Sequence, residues 1–233
     1  MSVSYRALAL LLRYPTEAVR EAAPEALEIL RADDNLPTAI KRALARLCDE
    51  ICAGEVFDAQ ERYVWLFDRN RSLCLNLYEH IHGESRDRGE AMVALLELYR
   101  SKGLELTANE LPDHLPVFLE FLSTLPEAEA GSLLGEASHV IAALGERLHR
   151  RGSPYRAAFG ALLALAAHPA DEAALAALLQ EPDDNPDDLE ALDKLWEETA
   201  VTFGPSDVGC PKADALVQAM QSPPAARSVR ASA

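Results

Sequence analysis

The sequence predicts an all-α protein, a single helical bundle followed by a disordered C-terminal tail. Apolar residues recur at intervals of three and four, as in Leu133, Leu134, Ala137, Val140 and Ile141, which places them on one face of a helix. Strand signals are nearly absent, because β-branched and aromatic residues nowhere sustain an alternating pattern. With 233 residues and 49% hydrophobic content, the chain is long enough to bury one sizeable core.

Glycine after basic residues marks two helix ends, at Lys102-Gly103 and at Arg150-Arg151-Gly152. Glycine adopts the left-handed cap conformation, and basic side chains favour the last turn of a helix. Ser153-Pro154 marks the next helix start, since serine caps a helix and proline fits its first turn. With ends placed to within about two to four residues, we predict helices at 3–13, 24–32, 37–53, 55–68, 71–82, 86–102, 109–125, 132–150, 154–167, 171–180 and 187–199.

The C-terminal part of the sequence is the least typical of a packed helix. Residues 180–188 read as a polar loop broken by prolines, and from Gly204 onward Gly, Pro, Ser and Ala predominate. Such a composition buries too little apolar surface to offset the entropy lost on ordering. We predict one helical domain over residues 1–203 and a flexible, disordered tail over residues 204–233, in which a short helix near 213–220 could dock transiently.

The charge balance and the cysteines limit the partners and the compartment. The chain has 22 basic and 38 acidic residues, a formal net charge of −16, so a nucleic acid would be repelled and is excluded as a partner. Four cysteines without an apolar signal peptide predict free thiols in the cytoplasm. The longest apolar run, 157–167, is shorter than the roughly 20 residues that span a bilayer. We therefore expect no direct membrane insertion.

The densest group of polar side chains runs from residue 78 to residue 90, at a predicted helix corner. His80 and His82 fall in a last turn, Gly83 can end that helix, and Ser85 can cap the next one. A corner built in this way could present its polar side chains to a partner.

Ordinary ion pairing gives the same corner a purely structural interpretation. Glu79 or Glu84 can pair with Arg86 or Arg88, and Asp87 suits the positive N-terminal end of the second helix. On physical grounds alone, this interpretation accounts for the corner at least as well as a binding role.

A second polar feature lies at the start of an apolar helix, where Pro112 and Pro116 bracket Asp113 and His114. The two prolines preorganise the segment, so His114 is held in place, as a recognition or catalytic site requires. Helix entry and capping are the alternative explanation. The residues themselves leave both interpretations open.

Three stretches of the sequence resemble one protein family in their order and spacing. They are Phe67-Asp68-Arg69, the run 72–89 with its segment Glu-His-Ile-His-Gly-Glu-Ser-Arg-Asp-Arg-Gly, and Leu111-Pro112-Asp113-His114-Leu115-Pro116. These stretches resemble the NarJ-type nitrate reductase chaperones, and the likeness extends to about residue 200. The third stretch is similar to a segment of other molybdoenzyme maturation chaperones. Cys74 and Asn76 depart from the pattern, so neither is given a chemical role.

The resemblance implies a helical maturation chaperone without enzyme activity and without a cofactor of its own. The implied client is the catalytic (alpha) subunit of a membrane-bound respiratory nitrate reductase, recognised through its N-terminal segment before the complex is anchored. The implied role is to support molybdenum cofactor insertion, with molybdenum cofactor biosynthesis proteins as further partners. We expect a monomer or a weak dimer.

We therefore predict a client groove between the helices near 61–82 and 109–121, which would receive an amphipathic helix. Large side chains such as Trp65 and Tyr78 are available as its wall, although residues at this spacing equally suit a core. The acidic members of the site would steer a basic client. The predicted client-binding residues are Phe67, Asp68, Arg69, Leu77, Glu79, His80, His82, Glu84, Arg86, Asp87, Arg88, Pro112, Asp113, His114, Phe118 and Phe121.

Two other classes of function stand as alternatives. One is a permanent helical scaffold or regulatory subunit of a redox complex, and the other is a metal-dependent hydrolase that uses His80, His82 and His114. His80 and His82 are two residues apart, so on a helix their side chains point about 200° apart around its axis, which is poor geometry for a shared metal ion. The chain also lacks paired zinc-type cysteines, a phosphate-binding glycine loop and a nucleophile elbow.

Overall fold

The structure is a computed structural model, and it describes residues 3–83, 85–107 and 110–180. Within these ranges the protein is all-α, as the sequence predicts, and no β-strand forms. Two short helical turns, Val64–Asp68 and Arg71–Leu73, have π and 3-10 geometry respectively. The α-helices of the described ranges are α1 (Val3–Leu11), α2 (Glu17–Ala32), α3 (Thr38–Cys52), α4 (Val56–Tyr63), α5 (Leu77–His82), α6 (Arg86–Ser101), α7 (Leu115–Leu122), α8 (Glu127–Glu136), α9 (Ser138–Arg150), α10 (Arg156–Leu165) and α11 (Glu172–Gln180).

Helix α1 lies at the centre of the bundle. It packs against α2, α7 and α10, and its residues Leu8 and Leu11 are fully buried. Helices α9 and α10 pair closely, α3 packs on α2 and α10, and α11 lies on α9. Burial of these apolar faces, worth roughly 25 cal/mol per Å² of apolar surface removed from water, is the main force that holds the helices together.

A buried arginine joins three elements of this bundle. The guanidinium of Arg147 on α9 donates to the Ser72 carbonyl and to the Leu178 carbonyl, both across 2.7 Å. Only 2% of Arg147 is exposed. Because a buried guanidinium needs hydrogen-bond acceptors, these bonds fix the turn at residues 71–73 and helix α11 relative to α9.

Two predicted helix ends are confirmed. Gly103 and Gly152 follow α6 and α9 with φ angles of 78° and 66°, in the left-handed region that glycine adopts without steric cost.

The predicted start of the second helix is wrong. α2 begins at Glu17 rather than near residue 24, because the Thr16 side chain accepts a hydrogen bond from the Val19 N–H at 3.3 Å and caps it. Pro24 lies inside α2. The buried face of α2, which includes Ala23 and Leu27, keeps the helix continuous despite the bond that proline removes.

The predicted helix over 132–150 is two helices, with the break at Ala137 and an earlier start at Glu127. The Gly131 carbonyl accepts from the Ala167 N–H at 2.9 Å, and His168 packs against Gly135. α8 therefore packs beside the segment that follows α10.

The predicted helices over 71–82 and 109–125 are wrong in extent. Helical structure in the first is limited to the 3-10 turn Arg71–Leu73 and α5, and α7 begins only at Leu115. The reason is the contact between the two segments that is described in the next subsection. The predicted helix 187–199, the domain boundary at residue 203 and the tail 204–233 lie outside the described residues.

Candidate functional site

The two polar segments that the sequence singles out meet directly. Asn76 and His114 form an isolated antiparallel β-bridge. The Leu77 N–H donates to the Asp113 carbonyl at 3.0 Å, and the Leu115 N–H donates to the Leu75 carbonyl at 2.8 Å. Because these backbone groups pair with each other, neither segment continues as a helix at this point.

Asp113 is an internal helix cap. Its side chain is fully buried, and one carboxylate oxygen accepts a hydrogen bond from the Tyr78 N–H at 3.1 Å. Asn76 occupies the N-cap position of α5 but makes no capping bond with its side chain, so Asp113 supplies the missing acceptor. Burial raises the pKa of Asp113, while the Tyr78 N–H and the nearby Arg88 oppose this rise.

An ion-pair chain runs from the surface to Asp113. Glu79 lies between two arginines, 3.2 Å from Arg71 Nε and 3.4 Å from a terminal nitrogen of Arg88. The other terminal nitrogen of Arg88 lies 3.9 Å from Asp113 Oδ2. The predicted pairing of Glu79 with Arg88 is therefore confirmed, and it ties the N-terminal turn of α6 to α5.

Tyr99 of α6 also contacts this corner. Its hydroxyl donates to the Pro112 carbonyl at 2.7 Å, and its ring packs against Phe121 with centroids 4.5 Å apart. Ser85 stands at the N-cap position of α6, as predicted, but its hydroxyl makes no capping bond within the described residues.

The two histidines of α5 are held by neighbouring groups. His80 Nε2 lies 2.8 Å from the Cys74 carbonyl and 3.6 Å from the Cys74 sulfur. Burial raises the pKa of Cys74 to about 12, which favours the thiol over the nucleophilic thiolate at neutral pH. The His82 ring stands edge-on to Tyr78 at 5.9 Å.

His114 lines a cleft of about 650 Å³ between α1, the start of α2 and the end of the π-helical turn. Its Nδ1 lies 3.1 Å from a Glu110 carboxylate oxygen. Asp68 and Tyr14 also line the cleft, and 42% of Tyr14 is exposed. The cleft is lined by Leu10, Arg13, Tyr14, Thr16, Ala18, Val19, Tyr63, Asp68, Glu110 and His114.

The predicted site residues fall into three groups. Six of them are buried, namely Phe67, Leu77, Pro112, Asp113, Phe118 and Phe121, and can shape a binding surface only by supporting the residues in front of them. Exposed residues are Asp68, Arg69, Arg86 and Asp87, while Glu79, His80, His82, Arg88 and His114 are partly buried. Glu84 lies outside the described residues, and a role of the whole set in client binding stays a prediction.

The predicted set lacks the cleft-lining residues of α1 and α2, and it also lacks three residues that hold the polar side chains in place. Arg71 and Tyr99 hold the corner, and Glu110 holds His114. A signal existed for Glu110, because it stands four residues before His114 and such pairs share a helical face. Arg71 and Tyr99 carry no comparable signal, since their partners are brought near by the break in the helix and by the fold.

The described part of the chain contains no group of three or more His, Cys, Asp or Glu side chains that could hold a metal ion. No helix within those same ranges is long and apolar enough to cross a membrane.

The sequence is similar to a described protein family and to several named proteins. The model of the family described as nitrate reductase delta subunit matches residues 33–161. The chain is 43% identical over 202 residues to the nitrate reductase molybdenum cofactor assembly chaperone NarJ of Escherichia coli strain K12, which covers 86% of this chain and 84% of NarJ. It is 38% identical over 198 residues to a second protein of that strain, named as a probable chaperone of this type, NarW, covering 85% and 82%. It is 28% identical over 162 residues to a Bacillus subtilis protein with a similar name, covering 70% and 87%.

Proposed function

This chain belongs to the nitrate reductase delta subunit family, and we propose on that basis that it is an assembly chaperone for the catalytic subunit of a nitrate reductase. In this role it supports insertion of the molybdenum cofactor and acts in the cytoplasm. The observation that carries the proposal is the extent of the likeness to NarJ, which spans most of both chains. The family match at residues 33–161 includes both segments of the corner.

The client segment that we propose is the N-terminal segment of the catalytic subunit, bound as an amphipathic helix in the cleft beside His114. Leu10, Val19 and Tyr14 offer apolar contact along the cleft, as the apolar face of such a helix requires. Asp68 and Glu110 line it as well, so basic side chains on the opposite face of the client would be attracted.

The chain acts by binding rather than by chemistry in this proposal. The groups that could catalyse a reaction are engaged in structural contacts: Asp113 caps α5, His80 contacts the Cys74 carbonyl, and the Cys74 thiol has a raised pKa. A hydrolase would need a free nucleophile or an open metal site in reach of substrate. This arrangement therefore supports a chaperone over the hydrolase.

Copurification tests the proposal and separates it from the permanent subunit. We expect the tagged chain to capture the catalytic subunit that lacks molybdenum from cells starved of molybdate, and to be absent from the finished membrane-bound reductase. Cells without the chain should accumulate catalytic subunit of low molybdenum content, measured by elemental analysis. A constant stoichiometry in the finished enzyme would instead identify a subunit.

A further inference from the structure

Two polar groups at the centre of the corner are buried without a hydrogen-bond partner, one on each member of the Arg88–Asp113 ion pair. Asp113 Oδ1 and Arg88 Nε each lie out of contact with water and make no hydrogen bond in the structure. Groups of this kind cost free energy when they stay unpaired. Their coexistence in neighbouring side chains indicates that Arg88 and Asp113 are not in their best mutual arrangement.

A small rotation of Arg88 would satisfy both groups at once. Its terminal nitrogen already lies 3.9 Å from Asp113 Oδ2, and a guanidinium can present Nε and one terminal nitrogen to the two oxygens of a carboxylate. What holds Arg88 away is Glu79, at 3.4 Å from its other terminal nitrogen. Arg88 is therefore shared between two carboxylates and completes its bonds with neither.

Release of Arg88 would remove one of the two arginines that pair with Glu79. Arg71 contacts Oε1 of Glu79, whereas Arg88 contacts Oε2. Only 17% of the Glu79 side chain is exposed, and a partly buried carboxylate that loses a cationic partner is costly unless another cation replaces it. A cationic side chain of the client can supply this replacement.

We propose that a cationic side chain of the client binds Glu79 and that Arg88 then closes on Asp113 as a two-bond pair. This inference rests on the proposed function and names the chemistry of one client anchor, a guanidinium or an ammonium group. Arg88 is a positioning residue in this scheme. Its movement tightens the contact between α6 and the turn that carries His114.

The Nε–H signal of Arg88 in the nitrogen-15 NMR spectrum of the full chain reports the movement directly. The signal is assigned by its loss in Arg88→Lys, and the probe is a synthetic peptide matching the N-terminus of the cognate catalytic subunit. On peptide binding we expect a downfield proton shift and exchange with water slowed by about tenfold or more. An unchanged Arg88 signal in the peptide complex would overturn the movement.

A double-mutant cycle tests the anchor. Glu79→Gln should weaken binding of the native peptide by about tenfold, and the loss should vanish for the one peptide variant in which the anchoring Arg or Lys is changed to Gln. Glu146→Gln is the matched control, since Glu146 pairs with Arg150 on the exposed side of α9, and it should leave affinity unchanged. An equal Glu79→Gln loss for every peptide variant would overturn the anchor alone, while absence of binding by the folded wild-type chain would overturn this inference together with the client segment proposed above.

Discussion

The Tyr78 N–H donates to the Asp113 carboxylate, so the helix α5 is capped by a residue that follows 35 positions later in the chain. The same Asp113 accepts the Leu77 N–H through its backbone carbonyl. Its side chain is fully buried, so Asp113 positions α5 and the turn that carries His114 without reaching the protein surface.

Two substitutions at Asp113 should show how much of its contribution to stability comes from helix capping and how much from its charge. Asp113→Ala removes the acceptor for the Tyr78 N–H, and loss of a helix cap lowers the free energy of unfolding by about 1–2 kcal/mol. Asp113→Asn keeps an acceptor oxygen and should lose clearly less. Urea denaturation followed by circular dichroism measures both variants. Equal losses for the two substitutions would contradict the capping role.

Stability should depend on pH through the same carboxyl group. Burial raises the pKa of Asp113 in the folded chain above its ordinary value of about 3.9. At any pH between these two pKa values, Asp113 is mostly protonated in the folded chain and mostly ionised in the unfolded chain. The contribution of Asp113 to stability is therefore full below about pH 4 and falls as pH rises through the folded pKa. The stability of Asp113→Asn relative to wild type should increase from pH 4 upward in urea titrations. A relative stability that decreases over this range would show that the pKa is lowered instead.

Loss of the Arg147 side chain should be among the costliest single changes in the described core. Arg147→Ala leaves the Ser72 and Leu178 carbonyls without their donor and opens a cavity, for which we expect about 3–5 kcal/mol of lost stability. Arg150→Ala on the same helix is the control. Arg150 is half exposed and pairs with Glu146, so its loss should cost about 0.5 kcal/mol or less. Comparable losses for both variants in urea denaturation would show that Arg147 does not join the elements as described.

Client association should be accelerated by the acidic residues of the cleft. The double substitution Asp68→Asn with Glu110→Gln should slow peptide association and flatten its dependence on salt, because charges beside the site steer a basic client within a Debye length of about 8 Å. Glu25→Gln with Glu172→Gln is the matched control, since both residues are exposed and the change in net charge is the same. Stopped-flow fluorescence measures the rates. Equal slowing by both pairs would assign the effect to the net charge of −16 rather than to the cleft.

The all-α fold could be predicted from the sequence because helical periodicity is a local property. Gly103 and Gly152 end their helices as expected for the same reason. The break before α5 could not be predicted, since its cause is a backbone pairing of Leu75 and Leu77 with Leu115 and Asp113. Nothing in either segment alone identifies the other as its partner.

The site shows the same division between local and distant contacts. Glu79 and Arg88 flank one corner, and their pairing could be predicted from that proximity. The bond from Tyr99 to the Pro112 carbonyl joins residues that only the packing of α6 on α7 brings together. Burial also could not be read from the sequence: Phe118 and Phe121 have the spacing of a groove wall and of a core alike, and they lie in the core.

The most direct test of the client site is calorimetric binding of a peptide matching the N-terminus of the cognate catalytic subunit. We expect wild-type protein to bind with a dissociation constant of about 1 μM or tighter, and His114→Ala to bind at least about tenfold more weakly while its unfolding transition stays close to that of wild type. His149→Ala, on the last turn of α9 and outside the cleft, should bind as wild type does. Absence of binding by folded wild-type protein, or equal losses for the two histidine variants, would contradict recognition of this segment in the cleft beside His114.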